Sequence, residues 1–165
     1  MTEASTRFAL PFILPGQAQK EQFHNEALLL LDGALHAVVE EGPLATPPLA
    51  PEAGQAWLVA ADATGAWDGA DDALALWTDA GWRFIQPVPG MLVWNLDLGH
   101  WHHWTTSGWS DGALPASAIM IGGDQILGPR LPTISSPSGG TIIDAEARAA
   151  VDSLIVSLRT HGLID

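Results

Sequence analysis

Eight tryptophans, all lying between Trp57 and Trp109, constrain this chain more than any other feature of its sequence. The chain has 165 residues, with no tyrosine and no cysteine. An indole buries a large apolar area and keeps one N–H donor that needs a polar partner. The density of tryptophan therefore predicts either a binding surface or a small β-domain that uses indoles in place of a deep aliphatic core. Because disulfides and thiolate metal sites are excluded, stability must come from packing or from partner chains.

The strongly negative net charge disfavours nucleic acids and anionic membranes as partners. The formal net charge is -13, with only six Lys and Arg residues. Binding to nucleic acid or to an anionic membrane needs cationic surface, which this chain lacks. Few cationic side chains beside 47% apolar residues indicate surface that is buried against other copies of the chain. We find no signal peptide and no apolar stretch long enough to span a bilayer, so we expect a cytoplasmic protein until it is assembled.

Hydrophobic periodicity and turn residues predict an α+β fold with an N-terminal helix, a small Trp-rich antiparallel β-domain and a C-terminal helix. Pro and Gly clusters divide the chain into four segments. They are an apolar arm with the N-terminal helix (1–42), a proline-rich connector (43–54), the β-domain (55–136) and the C-terminal helix segment (137–165). The connector is predicted to be stiff and extended.

Two helices are predicted to mediate assembly. The first spans 17–39, with an apolar stripe at Phe23, Ala27, Leu31, Leu35 and Val38. The second spans 144–161, between an Asp144 N-cap and Gly162, with a short heptad seam. The apolar arm before the first helix is too apolar for a free tail, so it should lie on its own chain or on a neighbour. The candidate interface residues are Phe8, Leu10, Phe12, Ile13, Phe23, Leu31, Val151, Leu154 and Leu158.

Some tryptophans are predicted to face solvent. Trp67, Trp82 and Trp109 stand beside Gly or Asp residues that are typical of turns. An exposed indole can stack on the apolar face of a sugar ring, or it can be a subunit contact. The strand positions of Trp57, Trp77 and Trp94 favour the core instead. The candidate carbohydrate-binding residues are Trp67, Trp82, Trp101, Trp104 and Trp109.

No residue pattern indicates catalysis or a metal site strongly enough to predict one. On a strand, His100 and His102 would face one side and could bind a transition metal. A clear third ligand is missing, although Asp97 and Asp111 are near in sequence, so a polar, aromatic strand edge is the favoured interpretation. Nucleophile-elbow and H-E-x-x-H motifs are both missing. We therefore predict no catalytic residues, no cofactor and no metal.

Several motifs together resemble uncharacterised domains of alphaproteobacterial prophages and gene transfer agents. The most specific is Pro15-Gly-Gln-Ala-Gln-Lys-Glu-Gln-Phe-His-Asn-Glu-Ala27. Thr64-Gly-Ala-Trp-Asp-Gly69 and Gly81-Trp-Arg-Phe84 follow in the β-domain. Near the C-terminus, Gly128-Pro-Arg130 and Pro137-Ser-Gly-Gly140 resemble a segment that recurs at the ends of phage-type proteins.

The resemblance implies a structural virion component and no enzyme. It implies a head-spike base or a tail-fibre adaptor that links the particle to an adhesin or to cell-surface polysaccharide. The expected partners are other copies of the chain, three or five in a closed ring or fibre, together with capsid, spike or fibre proteins. Capsular polysaccharide is a further candidate partner. The alternative is a carbohydrate-binding module that acts through its exposed tryptophans.

Overall fold

A computed structural model describes residues 3–13 and 20–165 and confirms the α+β fold. The chain divides into two compact units, Met1–Leu114 (unit 1) and Pro115–Asp165 (unit 2). The predicted β-domain segment, 55–136, extends across this division. Neither helix of the described residues is long and apolar enough to cross a membrane.

The described residues of unit 1, 3–13 and 20–114, form one helix and two small sheets. Its elements in chain order are α1 (Lys20–Ala34), β1 (Val38–Val39), β2 (Ala56–Leu58), a 3₁₀ turn (Gly65–Trp67), β3 (Leu74–Thr78), β4 (Gly81–Ile85), β5 (Leu92–Asn95), β6 (His100–Thr105) and β7 (Gly108–Asp111). One sheet has the order β2-β3-β4 and is antiparallel throughout. The other has the order β1-β5-β6-β7, in which only β1 runs parallel to its neighbour.

The N-terminal helix is shorter than the periodicity predicts. It ends at Ala34, and His36 then takes a left-handed backbone conformation with φ of 43°. Val38, which was predicted to continue the helical stripe, instead lies in β1 opposite Trp94 of β5. The prediction was wrong here because parallel pairing with β5, which is distant in sequence, outweighs the helical periodicity of the apolar residues. The predicted helix start at 17–19 lies outside the described residues.

The N-terminal arm folds back on helix α1 of its own chain. Asp32 is buried, and its carboxylate accepts hydrogen bonds from the Ser5 hydroxyl (2.7 Å) and from the N–H groups of Arg7 (2.9 Å) and Phe8 (2.7 Å). The Arg7 guanidinium in turn donates to carbonyl groups at the C-terminal end of α1, including that of His36 (2.9 Å). A cation here satisfies carbonyls that have no partner within the helix. Arm and helix therefore hold each other in place.

The proline-rich connector is tied into unit 1 by backbone pairing. Leu44 forms an isolated parallel bridge with Val59. The Leu44 N–H donates to the carbonyl of Leu58 (2.9 Å), and Ala60 donates back to Leu44 (2.8 Å). The connector thus runs along the edge strand β2 and extends that sheet.

Two buried clusters form the core of unit 1, one on each side of the β2–β3 pair. Strand side chains alternate between faces, so one strand can contribute to both clusters. The first cluster contains Ala37, Val39, Ala56, Leu58, Leu74, Leu76 and Val93. The second contains Trp57, Val59, Ala63, Trp67, Ala70, Ala73 and Ala75.

Unit 2 consists of a hairpin and a helix with little core. Its elements are β8 (Ile119–Ile121), β9 (Asp124–Leu127) and α2 (Ala145–Thr160). Helix α2 begins as predicted, because the Asp144 side chain accepts a hydrogen bond from the Ala147 N–H (2.8 Å). Within residues 115–165 only Ile155 and Ile164 are buried apolar side chains. The large exposed ones are Ile119, Met120, Ile121, Ile126, Leu127, Leu131, Ile134, Ile142, Ile143, Val151, Leu154, Val156 and Leu163.

Candidate functional site

Two hairpins of unit 1 repeat the same sequence pattern, Trp-Thr-x-x-Gly-Trp, at 77–82 and 104–109. In each, the two tryptophans lie directly opposite each other across the strands. The ring centroids are 4.9 Å apart for Trp77 and Trp82 and 5.3 Å apart for Trp104 and Trp109, with the planes at 65° in both pairs. Edge-to-face packing of this kind stabilises beyond the area buried.

The threonine of the pattern closes each turn. The hydroxyl of Thr78 donates to the Gly81 carbonyl (2.7 Å), and that of Thr105 donates to the Gly108 carbonyl (2.8 Å). Each hydroxyl also accepts a backbone N–H from within the turn. This repeat was not predicted from the sequence, although the spacing of Trp, Thr and Gly is the signal that reveals it. Four of the eight tryptophans are thereby assigned to hairpin structure.

One of the candidate sugar-binding tryptophans lies in the interior of unit 1. Trp67 is fully buried, so the prediction that it faces solvent was wrong. Its position beside Gly and Asp is a short 3₁₀ turn that folds inward over the second cluster. Trp82 is half-buried and packs edge-on against Trp57, Trp67 and Trp77. We call Trp57, Trp67, Trp77 and Trp82 the indole cluster, and Trp82 is held within it.

The candidates on the other sheet differ in exposure. Trp109 is half-buried, packs against the first cluster and donates its Nε1–H to the carbonyl of Asp72 (2.8 Å). Trp104 is half-buried beside it. Trp101 is 37% exposed and lies opposite Trp94 on β5, with ring centroids 5.1 Å apart. Trp101 is therefore the most accessible of the five candidates.

The outward face of β5 and β6 forms an apolar aromatic platform. Alternation places Trp94 and Trp101 on this face together with Leu92 and His103, which also pair across the strands. Leu92 is 44% exposed. We call these four residues the outer platform. Trp94, which the sequence assigned to the core, is half-buried and belongs to it.

The opposite face of β6 gathers three potential metal ligands at the edge of the sheet. His100 and His102 are two residues apart on β6, and Asp111 on β7 lies directly opposite His102. His100 Nε2 is 2.5 Å from Asp111 Oδ1, and His102 Nδ1 is 4.0 Å from the same oxygen. All three ligand atoms lie within 4.8 Å of one another. From the sequence, Asp111 could be identified only as a neighbour of the two histidines along the chain, because the β6–β7 register was not known.

The two histidines of this cluster have different surroundings. His100 is half-exposed, whereas His102 is 2% exposed. Burial lowers the pKa of His102 from its ordinary value, and the Asp111 carboxylate opposes this shift. The Asn95 amide donates its Nδ2–H to His102 Nε2 (3.2 Å), because its Oδ1 already accepts from the Leu98 N–H (3.0 Å). The proton of neutral His102 is therefore on Nδ1.

The candidate interface residues of the arm are docked within the chain. Phe8 is 45% exposed, whereas Leu10, Phe12 and Ile13 are half-buried. The Ile13 N–H donates to the Asn25 side chain of α1 (2.9 Å). The arm therefore lies on its own chain, which is one of the two placements that the sequence allowed.

The candidate interface residues on the helices face outward. In α1, Phe23 is 84% exposed and Leu31 is 50% exposed, and Ala27 between them is exposed as well. In α2, Val151 and Leu154 are exposed and Leu158 is half-buried. The buried residue of α2 is Ile155, which is not part of the predicted heptad seam. Within its own unit, the predicted stripe of α1 is thus exposed at Phe23, Ala27 and Leu31, and that of α2 at Val151 and Leu154.

A family model matches the middle of the chain. Its description is "Protein of unknown function (DUF2793)", and the match covers residues 24–110, from within α1 to the last strand of unit 1. No curated protein matches the chain in sequence.

Proposed function

The chain belongs to the DUF2793 family, and on that premise we propose that it is a structural component of a phage-like particle or gene transfer agent. In this proposal it is a head-spike base or tail-fibre adaptor made of three or five copies. Unit 2 is the assembly element, and unit 1 presents the outer platform to an adhesin or to cell-surface polysaccharide. The proposal assigns the chain no reaction.

One observation carries the proposal, namely that unit 2 exposes thirteen large apolar side chains and buries two. A unit of this size buries too little surface to be stable without added support, and a lone two-stranded hairpin is marginal in water. Disulfides are excluded by the lack of cysteine. Packing against further copies of the chain supplies the missing burial.

Charge favours unit 2 over unit 1 as the contact between copies. Unit 2 contains three arginines and five acidic residues, a formal charge of -2, so the remaining -11 of the total of -13 lies in unit 1. Bringing several copies of unit 1 into contact would oppose like charges, whereas unit 2 can approach its copies at small electrostatic cost. The placement on a phage-like particle is supported by the resemblance of the motifs at both ends of the chain.

The test is the mass of the chain in solution before and after charges are placed on the α2 seam. From a chain mass of 17.4 kDa, three copies give about 52 kDa and five give about 87 kDa. The double variant Val151→Glu, Leu154→Glu should be monomeric in light scattering and should be missing from purified particles. The double variant Leu49→Glu, Val88→Glu is the matched control, because both side chains are exposed in unit 1 and the pair receives the same charge. A wild-type monomer, or an assembly that the double variant leaves unchanged, contradicts the proposal.

A second candidate function, carbohydrate binding, is favoured by the outer platform. Trp94 and Trp101 offer indole surface on an outward sheet face, which suits stacking on the apolar C–H face of a sugar. Trp101→Ala should abolish binding in a capsular-polysaccharide pull-down. Phe23→Ala, which removes an exposed aromatic ring from α1, is the control and should bind as wild type does. Wild-type chain that retains no polysaccharide, or binding that survives Trp101→Ala, excludes this function.

A further inference from the structure

We propose that His100, His102 and Asp111 form a binding site for a divalent transition-metal ion of the zinc class. Two imidazoles and one carboxylate are the donor set that zinc and its neighbours prefer, whereas calcium and magnesium prefer oxygen donors alone. The proposal concerns the edge of the β6–β7 hairpin and is independent of the assembly role of unit 2.

The backbone holds the three ligands in a fixed frame. His100 and His102 are two residues apart on one strand, so their side chains leave the same face. Asp111 is brought to that face by direct pairing with His102 across β6 and β7. The pair Trp104 and Trp109 fixes the register of the same hairpin. Sites on paired strands are more precise than sites on loops.

The ligand atoms, which lie within 4.8 Å of one another, reach tetrahedral spacing through movement of the Asp111 and His100 side chains. Zinc ligands lie about 2.0–2.2 Å from the ion, so tetrahedral ligands are roughly 3.3 Å apart. His100 Nε2 and Asp111 Oδ1 are closer than this, at 2.5 Å, and His102 Nδ1 is farther, at 4.0 Å. The Asp111 side chain is 72% exposed, so it can rotate to even out the two distances. Water can complete the coordination on the exposed side.

His102 provides the second, independent observation. The ring is 2% exposed, and its Nδ1 makes no hydrogen bond of normal geometry in the part of the chain that the structure describes, although the Ser110 backbone and the Asp111 carboxylate, 4.0 Å away, lie close to the ring. Buried polar atoms are rarely left unpaired, and each exception needs an explanation. This nitrogen faces the side of the ring on which His100 and Asp111 lie. An ion bound there would give it a partner.

The hydrogen bonds of the Asn95 amide are expected to lower the affinity of the site for a metal ion. Without an ion, the Nδ2–H of Asn95 donates to His102 Nε2. An ion on Nδ1 moves the ring proton to Nε2, so that this nitrogen can no longer accept. Asn95 must therefore turn its amide to accept that proton, which breaks its contacts with the Leu98 N–H and the Gly42 carbonyl (3.2 Å). Partners behind a ligating histidine change metal affinity by about 10–100-fold. We expect a site of moderate affinity.

The test is titration of the full chain, without a polyhistidine tag, with Zn²⁺ by calorimetry and with Co²⁺ by visible absorption. We expect one ion per chain and a higher unfolding temperature with zinc, because a ligand that binds the folded state stabilises it. His100→Gln and Asp111→Asn should each weaken Zn²⁺ binding at least tenfold. The control is His24→Gln, an exposed histidine on α1, which should bind as wild type does.

The variants are chosen so that a negative result can be interpreted. His102→Gln changes a buried side chain and can disturb folding, whereas His100 and Asp111 are accessible enough to be replaced. Unfolding temperatures of all variants without metal verify that the fold is retained. Wild-type chain that binds no Zn²⁺ would leave the cluster as a plain His–Asp contact and overturn the proposal. Binding that His100→Gln and Asp111→Asn leave unchanged would overturn it equally.

Discussion

Unit 1 and unit 2 differ in the fraction of their apolar side chains that they bury. Unit 1 packs two buried clusters, and hydrogen bonds tie its arm to α1 and its connector to the end of β2. Unit 2 forms regular elements but leaves most of their large apolar side chains exposed. The comparison shows that secondary structure and a capped helix do not by themselves make a stable core. What distinguishes the two units is the fraction of apolar surface that one chain can cover.

The strongest way to break this comparison is to separate the two units. A fragment of residues 1–114 should unfold cooperatively, whereas a fragment of 115–165 should lack stable structure at low concentration. Far-UV circular dichroism and proton NMR dispersion measure both. A fragment of 115–165 that unfolds cooperatively as a monomer would show that unit 2 needs no partner.

The next largest effect is expected in the indole cluster of unit 1. Trp67→Ala removes a fully buried side chain and should lower the free energy of unfolding by about 3–5 kcal/mol. Trp101→Ala, which removes a ring that is 37% exposed and packs against Trp94, should cost less, about 1–2 kcal/mol. Urea denaturation of both variants gives the values. Equal costs at the two positions would contradict the division between structural and exposed indoles.

A smaller effect should come from the clasp between the arm and α1. Asp32→Ala leaves the Ser5 hydroxyl and two backbone N–H groups without their acceptor, and it should cost roughly 3 kcal/mol. Asp68→Ala, at an exposed position in the same unit, is the control and should change stability by less than about 0.5 kcal/mol. Thermal unfolding measures both. If Asp32→Ala matched the control, the arm would not be fastened by this carboxylate.

The smallest effect tests unit 2 itself. Asp144→Ala removes the N-cap of α2 and should cost about 1 kcal/mol. Because unit 2 is proposed to be stable only in the assembly, the loss should appear as dissociation at a higher protein concentration, measured by light scattering across a dilution series. Asp124→Ala on the exposed hairpin is the control. A dissociation concentration that Asp144→Ala does not change would place α2 outside the contact.

Local signals in the sequence predicted much of the fold. The helix predicted at 144–161 is observed at Ala145–Thr160. Caps and turn residues act over a few positions, so they can be read from the chain. The strand β1 could not be read, because its pairing with β5 joins residues more than fifty positions apart. Gly33 shows the same limit, because its role depends on residues of β3 and β4 that are distant in sequence. A Cβ there would lie 2.8 Å from Ile85 Cδ1, so the helix needs the gap to approach the sheet.

The candidate sites depended on register, which the sequence reveals only in part. The repeated Trp-Thr-x-x-Gly-Trp pattern could have indicated that Trp104 and Trp109 are opposite each other. From that pairing, counting outward places Asp111 opposite His102. The burial of Trp67 had no comparable signal, because a Trp beside Gly and Asp is equally consistent with a turn that folds inward or outward.

The placement of the indoles gives the two units separate optical signatures. Every tryptophan lies between Trp57 and Trp109, and the chain has no tyrosine, so intrinsic fluorescence reports on unit 1 alone. Five edge-to-face tryptophan pairs, with ring centroids 4.9–5.6 Å apart, should also couple their transitions and produce an exciton band in the dichroism spectrum. Loss of that band would mark the opening of the hairpins, while unit 2 could melt or assemble without any change in emission.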